Sequence, residues 1–242
     1  MMFLSLLGID FYDGTMDSAL DEVFDFLDSG ISDKRTIFTP NPEMLVEASN
    51  SPGFDALLRS AWLKFPDGVG ILWAYRFLHN KVLSSRITGT DFLKVFLERN
   101  REHKVFLLGA EDGVAEKLSS MFPVSQIVGV SSVQSDVASE SSIVDHVNRS
   151  GAKVIFVAFG SPAQEYWLQR NMDRLANVRL GMGVGGAFDF ITGKQKRAPE
   201  FMRSIGLEWL WRLFHQPQRL GRIFKATVVF PYIVVKSKLR NE

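Results

Sequence analysis

The chain contains no cysteine. That excludes disulfides and thiolate metal sites, and it fits a reducing compartment. Histidine is scarce. His79, His103, His146 and His215 are scattered, and none has metal-ligand spacing. There is no D-x-D triplet of the kind that holds a divalent metal in many nucleotide-sugar enzymes. There is no G-x-S-x-G and no Walker loop either. Long apolar runs are missing too. The longest, residues 226–235, is interrupted by Pro231 and falls well short of the roughly 18 residues of a spanning helix. The opening MMFLSLLGIDF is apolar but lacks a basic flank, so it reads as a first strand, not a signal peptide. The expectation is a chain that is soluble, or that lies on a membrane without crossing it.

What is present is a hidden charge split. The formal net charge is only +1. Residues 194–242 carry eleven Lys or Arg against three Glu, a net +8, which leaves −7 for residues 1–193. The basic tail is also aromatic, with Trp209, Trp211, Phe214, Phe224, Phe230 and Tyr232. Such a segment on an acidic body suggests a surface for an anion or a membrane. Basic residues mixed with large apolar ones, beside an acidic body, argue against nucleic acid. With 46% hydrophobic residues the chain can bury a substantial core, as one large domain or one domain plus an appendage.

Short β-branched runs alternate with amphipathic helical patterns. Residues 4–9, 36–39, 64–66, 104–108, 125–130, 154–158 and 179–183 read as strands. Helices are expected over 17–27, 41–49, 70–77, 90–102, 113–121, 141–149 and 164–174. This order predicts an α/β fold with a Rossmann-like, largely parallel sheet and helices on both faces. After Gly186 the strands stop. Residues 205–215 and 218–225 read as basic helical segments, and a boundary falls near Lys194. The expected division is a body of residues 1–193 and a basic, mainly helical appendage of residues 194–242.

Ligands in such sheets sit at the carboxyl ends of the strands, where several polar loops fall. Gly181-Met-Gly-Val-Gly-Gly186 spells G-x-G-x-x-G after a strand. A phosphate or nucleotide loop is the favoured reading over packing glycines. A nicotinamide or flavin site fits poorly, because Glu208, about 20 residues on, falls in a basic helix. Asp67, at a strand-to-helix turn, is either a general base or an N-cap. Thr39 and Asn41, in Thr39-Pro-Asn-Pro42, read first as turn and cap chemistry, and their polar side chains are also well placed to hold a sugar hydroxyl. Arg86 either binds phosphate or pairs with a surface acid. Glu165 reads as ordinary first-turn chemistry, and Gln164 as the better ligand candidate.

In order and spacing these motifs resemble the WecG/TagA/CpsF family of glycosyltransferases. The matching stretches are Thr39-Pro-Asn-Pro-Glu-Met, Pro66-Asp-Gly-Val-Gly, Arg86-Ile-Thr-Gly-Thr-Asp, Phe106-Leu-Leu-Gly and Phe159-Gly-Ser-Pro-Ala-Gln-Glu. The strongest runs from Gly183 through Asp189 to Gly193, then into Arg197-Ala-Pro and Gly206-Leu-Glu-Trp-Leu-Trp-Arg-Leu. One departure is Ala163, where the family usually has lysine.

The resemblance implies an inverting, metal-independent hexosyltransferase with no cofactor, peripheral on the cytoplasmic face of a bacterial plasma membrane. It would move N-acetylmannosamine, its uronic acid or a related hexose from UDP to a polyprenyl-diphosphate-linked acceptor for cell-surface polysaccharide. It implies Asp67 as base, Thr39, Gln164 and Arg86 as catalytic-site residues, and a capacity to self-associate. Expected substrate contacts are Asn41, Asp91, Gly109, Gly185, Gly186, Asp189, Arg197, Arg212, Arg219 and Arg222. With no D-x-D, arginine is the available cation for a departing diphosphate. The alternative is a non-catalytic nucleotide- or phospholipid-binding module docked on a membrane.

Overall fold

The computed structural model describes residues 3–133, 139–204, 206–215, 218 and 220–241. Its centre is a six-stranded sheet, built from β3 (Arg35–Phe38), β4 (Leu63–Lys64), β5 (Val105–Gly109), β6 (Ile127–Ser131), β7 (Val154–Ala158) and β8 (Leu180–Gly183). The strand order is β4-β3-β8-β7-β5-β6, and every neighbouring pair is parallel. The central strands are apolar at successive positions because both faces are covered. Alternation then sorts them. Phe38, Phe106, Leu108, Ile155 and Val157 join one buried cluster, while Ile37, Val105, Leu107, Val154 and Phe156 join the other. The period of two along each strand assigns these clusters to opposite faces.

The first cluster is covered by α2 (Pro42–Asn50), α3 (Pro52–Ser60), α4 (Val69–His79), α7 (Glu140–Ser150) and α8 (Ala163–Asn171). The second is covered by α1 (Met16–Asp28), α5 (Gly89–Arg99), α6 (Val114–Ser120) and α9 (Ala187–Ile191). Helices on both faces match the expected architecture.

Local chemistry starts several of these helices. Thr15 and Ser18 form a reciprocal capping box on α1. Asn41 caps α2 and Ser51 caps α3, each followed by proline at the first helical position. The sequence pattern missed α3, because Ser51-Pro52-Gly53 looks like a breaker when it is a start signal.

One expected strand is corrected. Residues 4–9 are not a single strand of the parallel sheet. They divide into β1 (Phe3–Leu6) and β2 (Ile9–Tyr12), an antiparallel pair separate from the main sheet. The two residues between them, Leu7 and Gly8, have φ of 51° and 77°. Left-handed backbone at both positions makes the tight hairpin turn that fits strand twist.

The C-terminal region is helical, with α10 (Glu200–Ser204), α11 (Glu208–His215), α12 (Leu220–Phe224) and α13 (Phe230–Asn241). A π-helical turn, Lys225–Val229, joins α12 to α13, so the helix runs through Pro231 instead of stopping there. Proline has no N–H and crowds the carbonyl four residues back, which is Thr227. The widened turn lies at that point, as π-bulges commonly do.

Phe230 and Val234 are 1% and 0% exposed and belong to the first core cluster. Around them, Arg222 Nε meets Glu43 Oε1 at 2.6 Å, and Lys225 Nζ meets Glu47 Oε2 at 3.1 Å. Lys238 Nζ donates to the Phe77 carbonyl at 3.3 Å. Among the described residues no helix is long and apolar enough to cross a membrane.

Phe230→Ala is expected to lose about 3–4 kcal/mol in urea denaturation, the usual loss for deleting a buried aromatic. A loss under about 0.5 kcal/mol would mean that the helix only rests on the surface. Acid should weaken a second contact. Glu140 is buried and bonded to Arg170 Nε at 3.1 Å. That bond, more than any other influence, holds its carboxyl below the ordinary value. The stabilisation is present above the ordinary carboxylate range and is lost as pH falls through the lowered value. Glu140→Gln should therefore lose about 1 kcal/mol at pH 7, discounted for the half-exposed arginine, with the gap to wild type closing in acid.

Candidate active site

The loops after β3, β4, β7 and β8 converge along the carboxyl edge of the sheet. Asp67 follows β4. Its amide donates to the Pro40 carbonyl at 3.2 Å, which ties its loop to the Thr39-Pro40-Asn41 turn after β3. The N-cap of α4 is Gly68, at φ 95°, and no side chain caps that helix. Asp67 is thus not the cap that its position allowed. Asn41 is one, since its Oδ1 accepts from Met44 N at 3.0 Å.

A cleft of about 460 Å³ opens over the loops after β3 and β4, and the turns after β7 and β8 do not line it. Asn41 and Glu43 line it from α2, Asp67 from the β4–α4 loop, and Arg86 from the segment before α5. The C-terminal region closes the other side with Glu208, Trp209 and Arg222. Four predicted site residues, Asn41, Asp67, Arg86 and Arg222, therefore share one cavity. Thr39 is buried at the end of β3 and is not among the lining residues. Arg219 and the side chain of Arg212 lie outside the described residues.

Asp91 and Arg197 meet each other. Arg197 Nη1 and Nη2 reach the two Asp91 carboxylate oxygens at 2.5 and 2.9 Å. Thr88, the N-cap of α5, donates to the same carboxylate at 2.7 Å. The Asp91 bond, ahead of the charges of Glu208 and Asp67, raises the Arg197 pKa. This fork holds the segment after α9 against the start of α5.

The glycine-rich loop divides by position. A Cβ on Gly181 would fall 2.6 Å from Leu168 Cδ2, and one on Gly183 would fall 2.6 Å from Gln164 Nε2. Both are therefore required by close packing. Gly185 has φ 53° and donates its N–H to Gln164 Oε1 at 2.8 Å. Gly186 leads into α9, with Asp189 in the first turn. Gly109 ends β5 at φ 98°, where a Cβ would strike Phe159. Gln164, expected as a ligand, is 3% exposed, and its amide is engaged with Gly160, Gly185 and Glu165.

Sequence reasoning assigned no site role to Glu43, Glu208 or Glu165. A signal existed for the first. Glu43 and Glu47 are one helical turn apart, matching Arg222 and Lys225 on the facing helix. Glu165 is fully buried instead of sitting exposed at a helix start. Among the described residues, no group of three His, Asp or Glu could hold a metal ion.

The Glycosyl transferase WecG/TagA/CpsF family profile matches residues 4–242. The chain belongs to that family. A similar protein of Bacillus spizizenii is 34% identical over 193 residues, covering 77% of this chain and 74% of the relative. It is named N-acetylglucosaminyldiphosphoundecaprenol N-acetyl-beta-D-mannosaminyltransferase.

In this glycosyltransferase the Asp91–Arg197 fork should be strongly coupled. Asp91→Asn and Arg197→Met are each expected to lose about 1–2 kcal/mol, and the double variant about as much as either alone. Additive losses in a denaturation cycle would show that the two side chains act separately.

Proposed function

We propose that the cleft over Asp67 transfers a sugar from UDP to a polyprenyl-diphosphate-linked acceptor, with inversion at the anomeric carbon. The observation that carries this reading is the convergence of the Asp67 carboxylate with two guanidinium groups, Arg86 and Arg222, in a single cavity that Glu43 and Glu208 also line. The relative's name supports the acceptor class and N-acetylmannosamine as the sugar.

In the proposed step the acceptor hydroxyl oxygen attacks the anomeric carbon as the bond to UDP breaks. Its proton passes to the Asp67 carboxylate. The electron pair of the broken bond leaves on the UDP phosphate. Arg222, with Arg212 and Arg219 of the same basic region, neutralises the growing charge on that diphosphate or holds the lipid diphosphate. Arg86 binds a phosphate from the opposite wall. Thr39 and Gln164 shape the sugar site from behind, through the turns after β3 and β7. Asn41, Asp91, Gly109, Gly185, Gly186, Asp189 and Arg197 complete the substrate surroundings, the fork residues by holding the loops. Arginine, not a metal ion, supplies the positive charge.

The lipid acceptor requires contact with a membrane, and residues 194–242 suit that role with their net +8. Phe214, Leu220, Phe224, Tyr232 and Leu239 are 56–76% exposed, and α13 ends with Lys238 and Arg240. Exposed apolar side chains beside lysine and arginine favour an anionic lipid surface. The proposed division is a body, residues 1–193, that supplies Asp67 and Arg86, and an appendage, residues 194–242, that supplies Arg222 to the same cleft and brings the protein to the membrane as a peripheral protein.

Asp67→Asn should keep the wild-type melting temperature and lose turnover of UDP-N-acetylmannosamine by about 10²–10⁴-fold, as removal of a general base does. EDTA should leave the wild-type rate unchanged. Retention of that rate by Asp67→Asn would refute the base assignment, and metal-dependent recovery after EDTA would refute arginine neutralisation.

A further inference from the structure

Glu165 presents a stability problem that the fold does not explain. It lies in the first turn of α8 and is 0% exposed. Its Oε1 accepts from Gln164 Nε2 at 2.8 Å. Its Oε2 has no hydrogen-bond partner among the described residues. A buried carboxyl with an unanswered oxygen weakens a protein, and an apolar side chain of similar size is tolerated or preferred in such a place. Burial pushes its pKa up, against smaller opposing effects of Gln164, its own backbone amide, the nearby Ser161 hydroxyl and Arg222. An unsatisfied group of this kind calls for a functional reason.

The neighbouring carboxamide supplies one. Gln164 Oε1 receives two backbone N–H groups, from Gly160 at 3.2 Å and from Gly185 at 2.8 Å. Gly160 belongs to the turn after β7, and Gly185 to the turn after β8. These strands are neighbours, so one side chain staples two adjacent turns at the carboxyl edge. The staple works in only one orientation. A flipped amide would set its NH₂ against two N–H donors. Glu165 Oε1 selects the working orientation by accepting from Nε2, and the missing Cβ of Gly183 leaves room for that nitrogen.

We infer that Glu165 is a positioning residue for the UDP part of the donor site, acting through Gln164 on the 160 and 185 turns. This rests on the UDP-sugar reading above. Such folds bind ligands outside the carboxyl ends of the strands, and both turns lie on that edge, next to the loops that line the Asp67 cleft.

The test is UDP titration calorimetry on the whole chain, with melting temperatures measured in parallel. Glu165→Leu should melt at or above the wild-type temperature yet bind UDP at least about tenfold more weakly, because Gln164 loses its orienting partner. Glu165→Gln keeps a carboxamide oxygen for Nε2 and should stay within about threefold of wild type. If Glu165→Leu does not fold, Glu165→Asp, which withdraws the acceptor by one methylene, must show the loss. Wild-type affinity in the folded Leu variant, or in Asp when Leu is unfolded, overturns the inference alone. So does an equal loss in Gln and Leu. Failure of the wild-type chain to bind UDP overturns the donor reading, and this inference with it.

Discussion

The burial of Phe230 and Val234 against α2 and α4 is the contact on which the site depends. A single apolar seam fixes the C-terminal helix on the body. The charged rungs Arg222–Glu43 and Lys225–Glu47 set its register. Ion pairs that remain partly open to solvent, as these are, add little energy, so the apolar seam supplies the attachment and the charges supply the alignment. Without that seam the cleft would lose the wall that carries Arg222. The acidic body and the basic tail are therefore complementary surfaces of one cavity.

The same alignment brings unlike charges together without neutralising the site. Asp67 faces a wall that includes Arg222, whose Nε is directed to Glu43. Arg197 feels the charges of Asp67 and Glu208 but is committed to Asp91. Arg222 and Arg197 are each held by a carboxylate that orients them. An arginine fixed in this way reorganises little when a diphosphate arrives, and such preorganisation is what makes electrostatic stabilisation effective.

Much of the fold was legible because burial leaves a direct mark on composition. Strands β5 and β7 are continuous apolar runs since both faces are covered. The hairpin at Leu7-Gly8 was not legible, because a leucine in left-handed backbone has no sequence signature. Helix α3 hid behind Ser51-Pro52-Gly53, and the long C-terminal helix behind Pro231, which a π-turn accommodates. At the site, Asn41, Asp67, Arg86 and Arg222 were readable by type and position. The hydrogen bonds of Gln164 to Gly160, Gly185 and Glu165 were not legible, because they join turns that follow different strands. The pairing of Asp91 with Arg197 joins residues far apart in the chain, and spacing alone does not reveal it.

The central claim is that the docked C-terminal helix is the catalytic arrangement. The natural chain has no cysteine, so a cross-link can be placed cleanly. Glu47→Cys and Lys225→Cys, joined by a short bis-maleimide, would fasten α2 to the π-turn where those side chains meet at 3.1 Å. Single-turnover sugar transfer should proceed in the locked protein at the rate of the unlinked double variant. Loss of transfer on linking, with full activity in the unlinked variant, would contradict the claim and show that the helix must leave the body for chemistry to occur.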